Sequence, residues 1–244
     1  MRVIDKFLRA LREINVKNSC LCDGCSVEVF DYPNTRLCAE CSSRLLRNDR
    51  FRCEKCGRAT RAEGVCNACK SAPPDYEKGA SALVYFDKTA ALVNRFKNGK
   101  RYMAEYFSEE LLGAIGRLPA REYVLVSVPL TKRKLRERGY NQSSEIVIEL
   151  AKRTGFAYRT DLLDKRAEDS QKSLSATERR KNIIGAFRVQ DRKFCKGKDF
   201  LVVDDIMTSG ATTSEIAIVL LRAGANSVCA LTVSAVPDRD LAGE

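Results

Sequence analysis

Two adjacent carboxylates, followed by a loop of small and hydroxyl-bearing residues, are the groups in this sequence best suited to chemistry on a phosphorylated sugar. Asp204 and Asp205 come directly after the aliphatic run 201–203, and residues 208–212 read Thr-Ser-Gly-Ala-Thr. The aliphatic run predicts a buried strand, and the amphipathic residues 213–222 predict a helix. Backbone N–H groups at a helix N-terminus hold phosphate, and a glycine lets the chain approach it closely. We therefore expect a phosphosugar site formed by Asp204, Asp205, Thr208, Ser209, Gly210, Ala211 and Thr212.

Carboxylates at the end of such a strand are placed to accept hydrogen bonds from sugar hydroxyls. A lone Asp-Asp pair is also typical of a solvated turn, but the aliphatic run before it and the loop after it favour a binding site. Residues 201–213 resemble the phosphoribosyl pyrophosphate (PRPP) motif of the type I phosphoribosyltransferases. Asp204 and Asp205 are also the candidate catalytic residues, with Asp205 as a candidate general base.

A strongly basic segment follows another predicted strand, residues 123–128. Its cations are Lys132, Arg133, Lys134, Arg136 and Arg138. We expect this segment to leave the same edge of the sheet as the acidic pair. Cations there neutralise a pyrophosphate group, and arginine adds bidentate contacts. The alternatives are a solvated charged loop and the start of an arginine-covered helix.

Eight of the eleven cysteines form four C-x-x-C pairs, which favour metal binding. The pairs are Cys22/Cys25, Cys38/Cys41, Cys53/Cys56 and Cys66/Cys69. Two such turns provide the four thiolates of a tetrahedral, structural zinc site. Sequential pairing of the turns is the simplest, although an interleaved arrangement also satisfies the geometry, and Cys20 can substitute as a ligand. Disulfides, a redox pair and an iron–sulfur cluster fit this even spacing less well.

The elements that must position these groups alternate between strands and helices. Strands are predicted at 79–86, 123–128, 199–203 and 227–236, and helices at 89–101, 102–117, 141–153 and 213–222. This alternation predicts an α/β fold with an open, mostly parallel sheet whose ligands bind at the carboxyl ends of the strands. Residues 71–75 read as a linker. We predict an amphipathic helix within 1–19, a double zinc-ribbon module at 20–72 and the α/β domain at 73–244.

Composition limits the functions open to the chain. Its 244 residues include 43 basic and 32 acidic side chains, and the net charge of +11 favours polyanionic partners. The absence of histidine excludes Ser-His-Asp and Cys-His catalysis and every histidine metal site. No apolar run reaches the length of a membrane span and no signal peptide is recognised, so we expect a cytoplasmic protein.

Two basic regions leave alternatives open. The predicted N-terminal helix has an apolar stripe opposite a basic side, so it either lies on an anionic membrane or packs on the protein itself. The cysteine-rich module suits contact with a nucleic-acid backbone, but a solvated basic surface is an equally ordinary interpretation. Its cations are Arg36, Arg44, Arg47, Arg50, Arg52, Lys55, Arg58, Arg61 and Lys70.

Taken in chain order, four blocks resemble the competence protein F (ComF) family, and the resemblance covers nearly the whole chain. The blocks are the cysteine pairs, VPLTKRKLRERGYNQ at 128–142, the polar stretch 171–187 and VDDIMTSGATT at 203–213. The resemblance implies a type I phosphoribosyltransferase-like parallel sheet with flanking helices, preceded by a small cysteine-rich zinc-ribbon module. It also implies binding of PRPP and Mg²⁺. Asp204 and Asp205 would bind the ribose hydroxyls, residues 208–212 the 5′-phosphate, and Lys132, Arg133, Arg136 and Arg138 the pyrophosphate.

The resemblance further implies a role in natural transformation, in which the protein handles incoming single-stranded DNA at the cytoplasmic side of the DNA-uptake machinery with other competence proteins. One alternative is an active phosphoribosyltransferase of nucleotide metabolism with an unidentified acceptor. Another is a PRPP-sensing regulator without catalysis. In type I phosphoribosyltransferases the stretch equivalent to 166–187 is a mobile hood, and Ser175 with Glu178 forms a predicted capping box there.

Overall fold

A computed structural model of the chain describes residues 20–29, 37–166 and 183–238. The predicted amphipathic helix within 1–19, the side chain of Cys20 and most of the predicted hood with its capping box lie outside these ranges. Among the described residues, no helix is both long and apolar enough to cross a membrane.

The N-terminal part of the described chain contains short elements around the cysteine pairs. β1 (Cys20–Leu21) pairs antiparallel with β2 (Glu28–Val29), and two short helices follow, α1 (Ala39–Ser43) and α2 (Asn67–Ser71). Cys38 and Cys66 occupy the N-cap positions of these two helices. Cys41 and Cys69, the second cysteines of the pairs Cys38/Cys41 and Cys66/Cys69, therefore lie in the first turn of a helix.

The rest of the described chain alternates between strands and helices, as predicted. The elements are β3 (Gly79–Val84), α3 (Asp87–Lys97), α4 (Met103–Ile115), β4 (Tyr123–Ser127), α5 (Lys132–Arg138), α6 (Gln142–Thr154), β5 (Tyr158–Arg159), β6 (Leu163–Lys165), β7 (Phe187–Val189), α7 (Arg192–Cys195), β8 (Asp199–Met207), α8 (Ala211–Arg222) and β9 (Ser227–Ala235). β6 and β7 form a separate antiparallel pair.

Five strands form one parallel sheet in the order β3-β9-β8-β4-β5, which confirms the predicted fold class. β8 is the central strand, as the apolar run at its start predicted. The connection after β4 leads outward to β5, whereas the connection after β8 leads outward to β9 on the other side. Neighbouring strands whose connections diverge leave a crevice at their carboxyl ends, which is where open α/β sheets bind ligands.

Both faces of the sheet are covered by buried side chains. Successive residues of β8 point to opposite faces and therefore belong to different clusters. Leu201 and Val203 belong to a buried cluster with the helix residues Phe96, Phe107 and Ile146. Phe200 and Val202 belong to a second cluster that includes Ile216 and Leu220 of α8 and five cysteines. A strand buried on both faces explains the uninterrupted apolar run in the sequence.

Two local expectations differ from the structure. β8 continues to Met207, so the acidic pair lies within the strand rather than after it, because Met207 still pairs with Ala235 of β9. The basic segment 132–138 is a helix and not a loop. Thr131 caps its N-terminus by accepting a hydrogen bond from the Lys134 amide, and Gly139 ends it with a left-handed φ of 78°.

The cysteine-rich part packs directly against the sheet. A Cβ on Gly57 would lie 2.4 Å from the carbonyl oxygen of Gly79 in β3, and Gly57 has a φ of +74°. Both the space and the backbone angle therefore require glycine at position 57. Nearby, the Asn48 side chain donates to the Gly57 carbonyl and to the Ser81 hydroxyl. These contacts cross the predicted boundary near residue 72, while the domain limits themselves stay a prediction.

Candidate functional site

The acidic pair lies near the carboxyl end of the central strand, and both carboxylates are held by groups from other elements. The Ser143 hydroxyl, at the start of α6, donates to Asp204 Oδ1 at 2.9 Å. Lys97 Nζ, at the end of α3, lies 3.3 Å from Asp205 Oδ2. Asp205 is 8% exposed, so its charge is compensated mainly inside the protein. The two side chains are oriented by the fold before any ligand arrives.

Asp204 is destabilised in its charged form. Removal from water raises its pKa to about 7 and the charge of Asp205 adds to this shift, although hydrogen bonds from Ser143 and the Asp205 amide act in the opposite direction. A buried carboxylate with a raised pKa lowers the stability of the folded protein at neutral pH. Ionisable groups with shifted pKa values cluster at functional sites.

The predicted phosphate cradle, residues 208–212, forms the loop between β8 and α8 and the first turn of α8. Gly210 is the N-cap of α8 with a φ of +76°, a left-handed conformation that glycine adopts without strain. A Cβ at Gly210 would lie 3.4 Å from Tyr76 Oη, so the loop also packs closely on a buried tyrosine. The Ser209 hydroxyl accepts a hydrogen bond from the Ala211 amide at 3.4 Å. The N-terminus of a twelve-residue helix thus opens at the carboxyl edge of the sheet.

The basic helix α5 follows β4, the strand next to β8, so the structure places both predicted binding segments at one edge. Asn141 caps α6 and its amide donates to the carbonyl of Val128, which fixes the path of the chain after β4. Arg133 pairs with Glu137, and Arg138 donates to Gln142. No residue of α5 is buried, and the side chains of Lys132, Arg133 and Arg136 are exposed.

The structure brings the eight paired cysteines together as two groups in the sequential arrangement. One group is Cys22, Cys25, Cys38 and Cys41, and the other is Cys53, Cys56, Cys66 and Cys69, with all sulfurs of a group within 4.8 Å of one another. Each group can hold a metal ion, and four sulfur ligands are consistent with a zinc ribbon module. The second group is buried throughout, whereas Cys25 of the first group is exposed.

Backbone amides favour the thiolate form of the first cysteine in each group. Gly24 N and Cys38 N donate to Cys22 Sγ at 3.3 and 3.2 Å. Although burial acts to raise it, these amides lower the pKa of Cys22 to about 6. In the second group, the Cys66 amide donates to Cys53 Sγ at 3.3 Å. N–H groups directed at sulfur match the requirement of a metal site for deprotonated cysteine.

Arg58 joins the second cysteine group to the phosphate cradle. Its Nε donates to Cys56 Sγ at 3.4 Å, and its Nη2 donates to the carbonyl oxygen of Thr208 at 2.7 Å. The side chain is 6% exposed, so these contacts are shielded from water. In the sequence, Arg58 is one of nine cations of the cysteine-rich module, and nothing local distinguishes it as a partner of Thr208.

Lys97 and Ser143 are neighbours of the acidic pair that the sequence did not predict. Both come from elements far from Asp204 and Asp205 in the sequence, and neither lies in a recognisable motif. For Arg58 a signal was present, because the residue follows a C-x-x-C-Gly turn in which Gly57 already requires a close approach to another element.

Two cavities differ in their relation to this site. A cavity of about 230 Å³ borders the start of α8 and is lined by Ser209 and Gly210 together with Pro73, Pro74 and Ile184. A larger one, of about 620 Å³, lies between the cysteine-rich part and α4 and contains none of the predicted site residues. The smaller cavity is the one that adjoins the phosphate cradle.

Comparison with known proteins gives relatives that cover most of the chain. No protein-family model matches the chain. It is 30% identical over 207 residues to DNA utilization protein YhgH of Escherichia coli O157:H7, covering 79% of this chain and 87% of that protein. It is 25% identical over 225 residues to competence protein F of Haemophilus influenzae, covering 88% of this chain and 90% of that protein. Among solved structures, glutamine phosphoribosylpyrophosphate amidotransferase of Bacillus subtilis complexed with ADP and GMP has a TM-score of 0.36 and 21% identity, over 55% of this chain and 26% of that chain.

The raised pKa of Asp204 gives a pH-dependent prediction. Because its folded-state pKa of about 7 lies above the ordinary value of 3.8, the folded protein binds more protons than the unfolded chain between these values, and stability falls as pH rises through this window. Asp204→Asn should therefore melt several degrees above wild type at pH 8 and show little difference near pH 4. Melting temperature measured by differential scanning calorimetry at both pH values checks this.

Asp161→Asn is the matched control, because Arg159 lowers the pKa of Asp161 instead of raising it. This exposed carboxylate contributes stability above its ordinary pKa, so its removal should lower the melting temperature slightly at pH 8. An Asp204→Asn protein no more stable than wild type at pH 8 would show that burial does not destabilise the Asp204 carboxylate.

Proposed function

This chain belongs to the ComF family, together with DNA utilization protein YhgH and competence protein F, and from that premise we propose that it binds PRPP with Mg²⁺ and acts in DNA uptake. The observation that carries the proposal is the acidic pair of β8 directly before the glycine-capped N-terminus of α8. Carboxylates next to backbone amides offer acceptors for sugar hydroxyls and donors for a phosphate in one place.

The ribose end of PRPP is assigned to the acidic pair. Asp204 and Asp205 are oriented by Ser143 and Lys97, so their remaining acceptor positions are pre-organised for two hydroxyls of a sugar. The 5′-phosphate is assigned to the amides and hydroxyls of residues 208–212, where the positive end of the α8 dipole favours an anion.

Mg²⁺ is assigned to the bound ligand and not to a cage of protein groups. Within the described ranges, the groups of three or more metal-binding side chains are the two cysteine clusters, so no carboxylate cluster of that size is present. Mg²⁺ usually keeps several waters and is held by one or two carboxylates plus substrate phosphates. Asp204 and Asp205 fit that limited role, and a bound Mg²⁺ would neutralise charge on the pyrophosphate.

The pyrophosphate is assigned to α5. This helix follows the strand beside β8, on the other side of the crevice where the connections diverge. Its exposed cations Lys132, Arg133 and Arg136, together with the half-buried Arg138, can compensate the phosphate charges, and the arginines supply forked donors. Gly139 and Asn141 fix where the helix ends and the next begins.

Zinc is assigned to the two cysteine groups in a structural role. Four thiolates leave no position open for water, so the ions do not perform the chemistry. In small cysteine modules, zinc binding contributes on the order of 10 kcal/mol to folding. The short elements around Cys22 to Cys69 bury few apolar side chains of their own, so the ions would replace a hydrophobic core there.

Single-stranded DNA is assigned to the exposed cations of the protein, as part of DNA handling at the cytoplasmic side of the uptake machinery. Several cations of the cysteine-rich part are occupied internally, since Arg47 pairs with Glu110 and Lys55 donates to the carbonyls of Tyr76 and Glu77. Arg50 and Lys70 are exposed and are the candidates for phosphate contacts in this part.

Calorimetric titration of PRPP with Mg²⁺ tests the ligand. Wild type should bind, and Asp204→Asn with Asp205→Asn should weaken binding by about 100-fold or more, because two charge-assisted contacts to the sugar are lost. The double variant Asp161→Asn with Asp164→Asn is the control and should bind like wild type. Unchanged affinity in the Asp204/Asp205 variant would place the ligand elsewhere, and release of pyrophosphate with an acceptor would add transferase activity to the proposal.

Metal content by elemental analysis tests the zinc assignment. The purified protein should hold two zinc ions per chain, and Cys25→Ser and Cys53→Ser should each hold one. Cys53→Ser should lower the melting temperature more, because its group is buried against the sheet while Cys25 is exposed. Wild-type zinc content in either variant would exclude that cysteine as a ligand.

Fluorescence anisotropy with a labelled oligo-dT tests the DNA assignment. Affinity should fall with rising salt, and Arg50→Gln and Lys70→Gln should each reduce the slope of log affinity against log salt by about 1. Arg47→Gln is the control, because its guanidinium is paired with Glu110. A salt-independent affinity, or slopes unaffected by Arg50→Gln and Lys70→Gln, would contradict the proposed contacts.

A further inference from the structure

Arg58 occupies a position between two sites that otherwise have no chemistry in common. One end of its guanidinium is bound to the sulfur of Cys56, a member of the second cysteine group, and the other end is bound to the carbonyl of Thr208. Thr208 is the first residue of the phosphate cradle. Cys56 is two residues from Arg58 in the sequence, whereas Thr208 is 150 residues away. Only the folded protein therefore brings Thr208 to Arg58 and the cysteine group.

The bond to Thr208 controls the direction of a neighbouring donor. In a planar trans peptide, the carbonyl of one residue and the N–H of the next point in opposite directions. A Thr208 carbonyl held toward Arg58 therefore fixes the Ser209 N–H in the opposite direction. Because N–H groups of this loop are the donors for a phosphate, their direction decides whether the cradle is formed before the ligand binds.

The bond to Cys56 controls the position of Arg58 in turn. A guanidinium that is 6% exposed needs fixed acceptors, and a metal-bound cysteine sulfur carries negative charge that provides one. Gly57 further holds this turn against β3, because any side chain at that position would overlap the Gly79 carbonyl. Loss of the ion would leave the turn, and with it Arg58, without a fixed geometry.

Among the described residues, no hydrogen bond connects a cysteine of the first group to residues 208–212. Cys22 and Cys41 of that group pack in the buried cluster that includes Phe96 and Phe107. In addition the Tyr102 hydroxyl, at the start of α4, donates to Asp23, which lies between Cys22 and Cys25. The two groups therefore differ in what they support, and the first serves as an internal control for the second.

We propose that Arg58 is a positioning residue that makes the phosphate cradle depend on the metal ion of the second cysteine group and not on that of the first. The ligand named here, PRPP, rests on the proposed function. The structural part of the inference concerns only the order of residues 208–212 and stands apart from the identity of the ligand.

The test compares Arg58→Met with Arg52→Met in the zinc-loaded full chain. Arg52 lies in the same module and donates to the Asn48 carbonyl, so its variant removes an arginine of the module without removing the bond to Thr208. The readouts are zinc per chain, hydrogen–deuterium exchange of the backbone amides of 208–212, and affinity for PRPP with Mg²⁺. Cys25→Ser, which empties the first group, is measured alongside.

Arg58→Met should retain two zinc ions. Its cradle amides should exchange about tenfold faster and its PRPP affinity should fall about tenfold, as expected for one lost charge-assisted bond. Arg52→Met and Cys25→Ser should leave the exchange of the cradle unchanged. Unchanged exchange in Arg58→Met at full zinc content would overturn the inference, and so would equal loosening of the cradle in Cys25→Ser.

Two further outcomes keep the inference and the proposed function separate. If wild type does not bind PRPP, the proposed ligand fails, while the exchange comparison still decides the role of Arg58. If Arg58→Met does not retain zinc, Arg58→Lys replaces it, because a lysine keeps the buried charge but cannot bind both partners with a rigid fork. Wild-type cradle exchange in zinc-loaded Arg58→Lys would then overturn the inference.

Discussion

The parallel pairing of β4 with β8 is the constraint on which the candidate site depends. Ser127 of β4 lies opposite Val203 of β8, so both strands deliver their following segments to the same edge of the sheet. Their connections then diverge, and the crevice between α5 and α8 is left open. The acidic pair and the predicted phosphate cradle are neighbours in sequence, but the cations of α5 join them only through this arrangement of the strands.

The cysteine-rich part is a second support for the same edge. The four cysteines of its second group share a hydrophobic cluster with Val126 and Val202 of the central strands and with Tyr76, which lies close to Gly210. Arg58 completes the connection with a hydrogen bond to Thr208. The cysteine-rich part therefore packs against the edge of the sheet where the ligand is proposed to bind, and the connection between them consists of packed residues rather than a flexible linker.

Much of the fold was predictable because local patterns agreed with the tertiary structure. The apolar run 201–203 predicted the central strand, and the C-x-x-C spacing predicted both cysteine groups.

Other features depend on partners remote in sequence. β8 extends through the acidic pair because β9 pairs with it as far as Ala235. The helix α5 was left open as an alternative to a charged loop, although its cap Thr131 and its terminator Gly139 are present in the sequence. Ser143 reaches Asp204 across 61 residues, which no local pattern records.

A crystal structure of the protein with PRPP and Mg²⁺ tests the central claim, that this edge of the sheet is the ligand site, most directly. The account predicts the 5′-phosphate within hydrogen-bonding distance of the amides of residues 209–212, the ribose hydroxyls on Asp204 and Asp205, and the pyrophosphate facing α5. PRPP bound in another part of the molecule, or a crevice left empty at saturating PRPP, would contradict it.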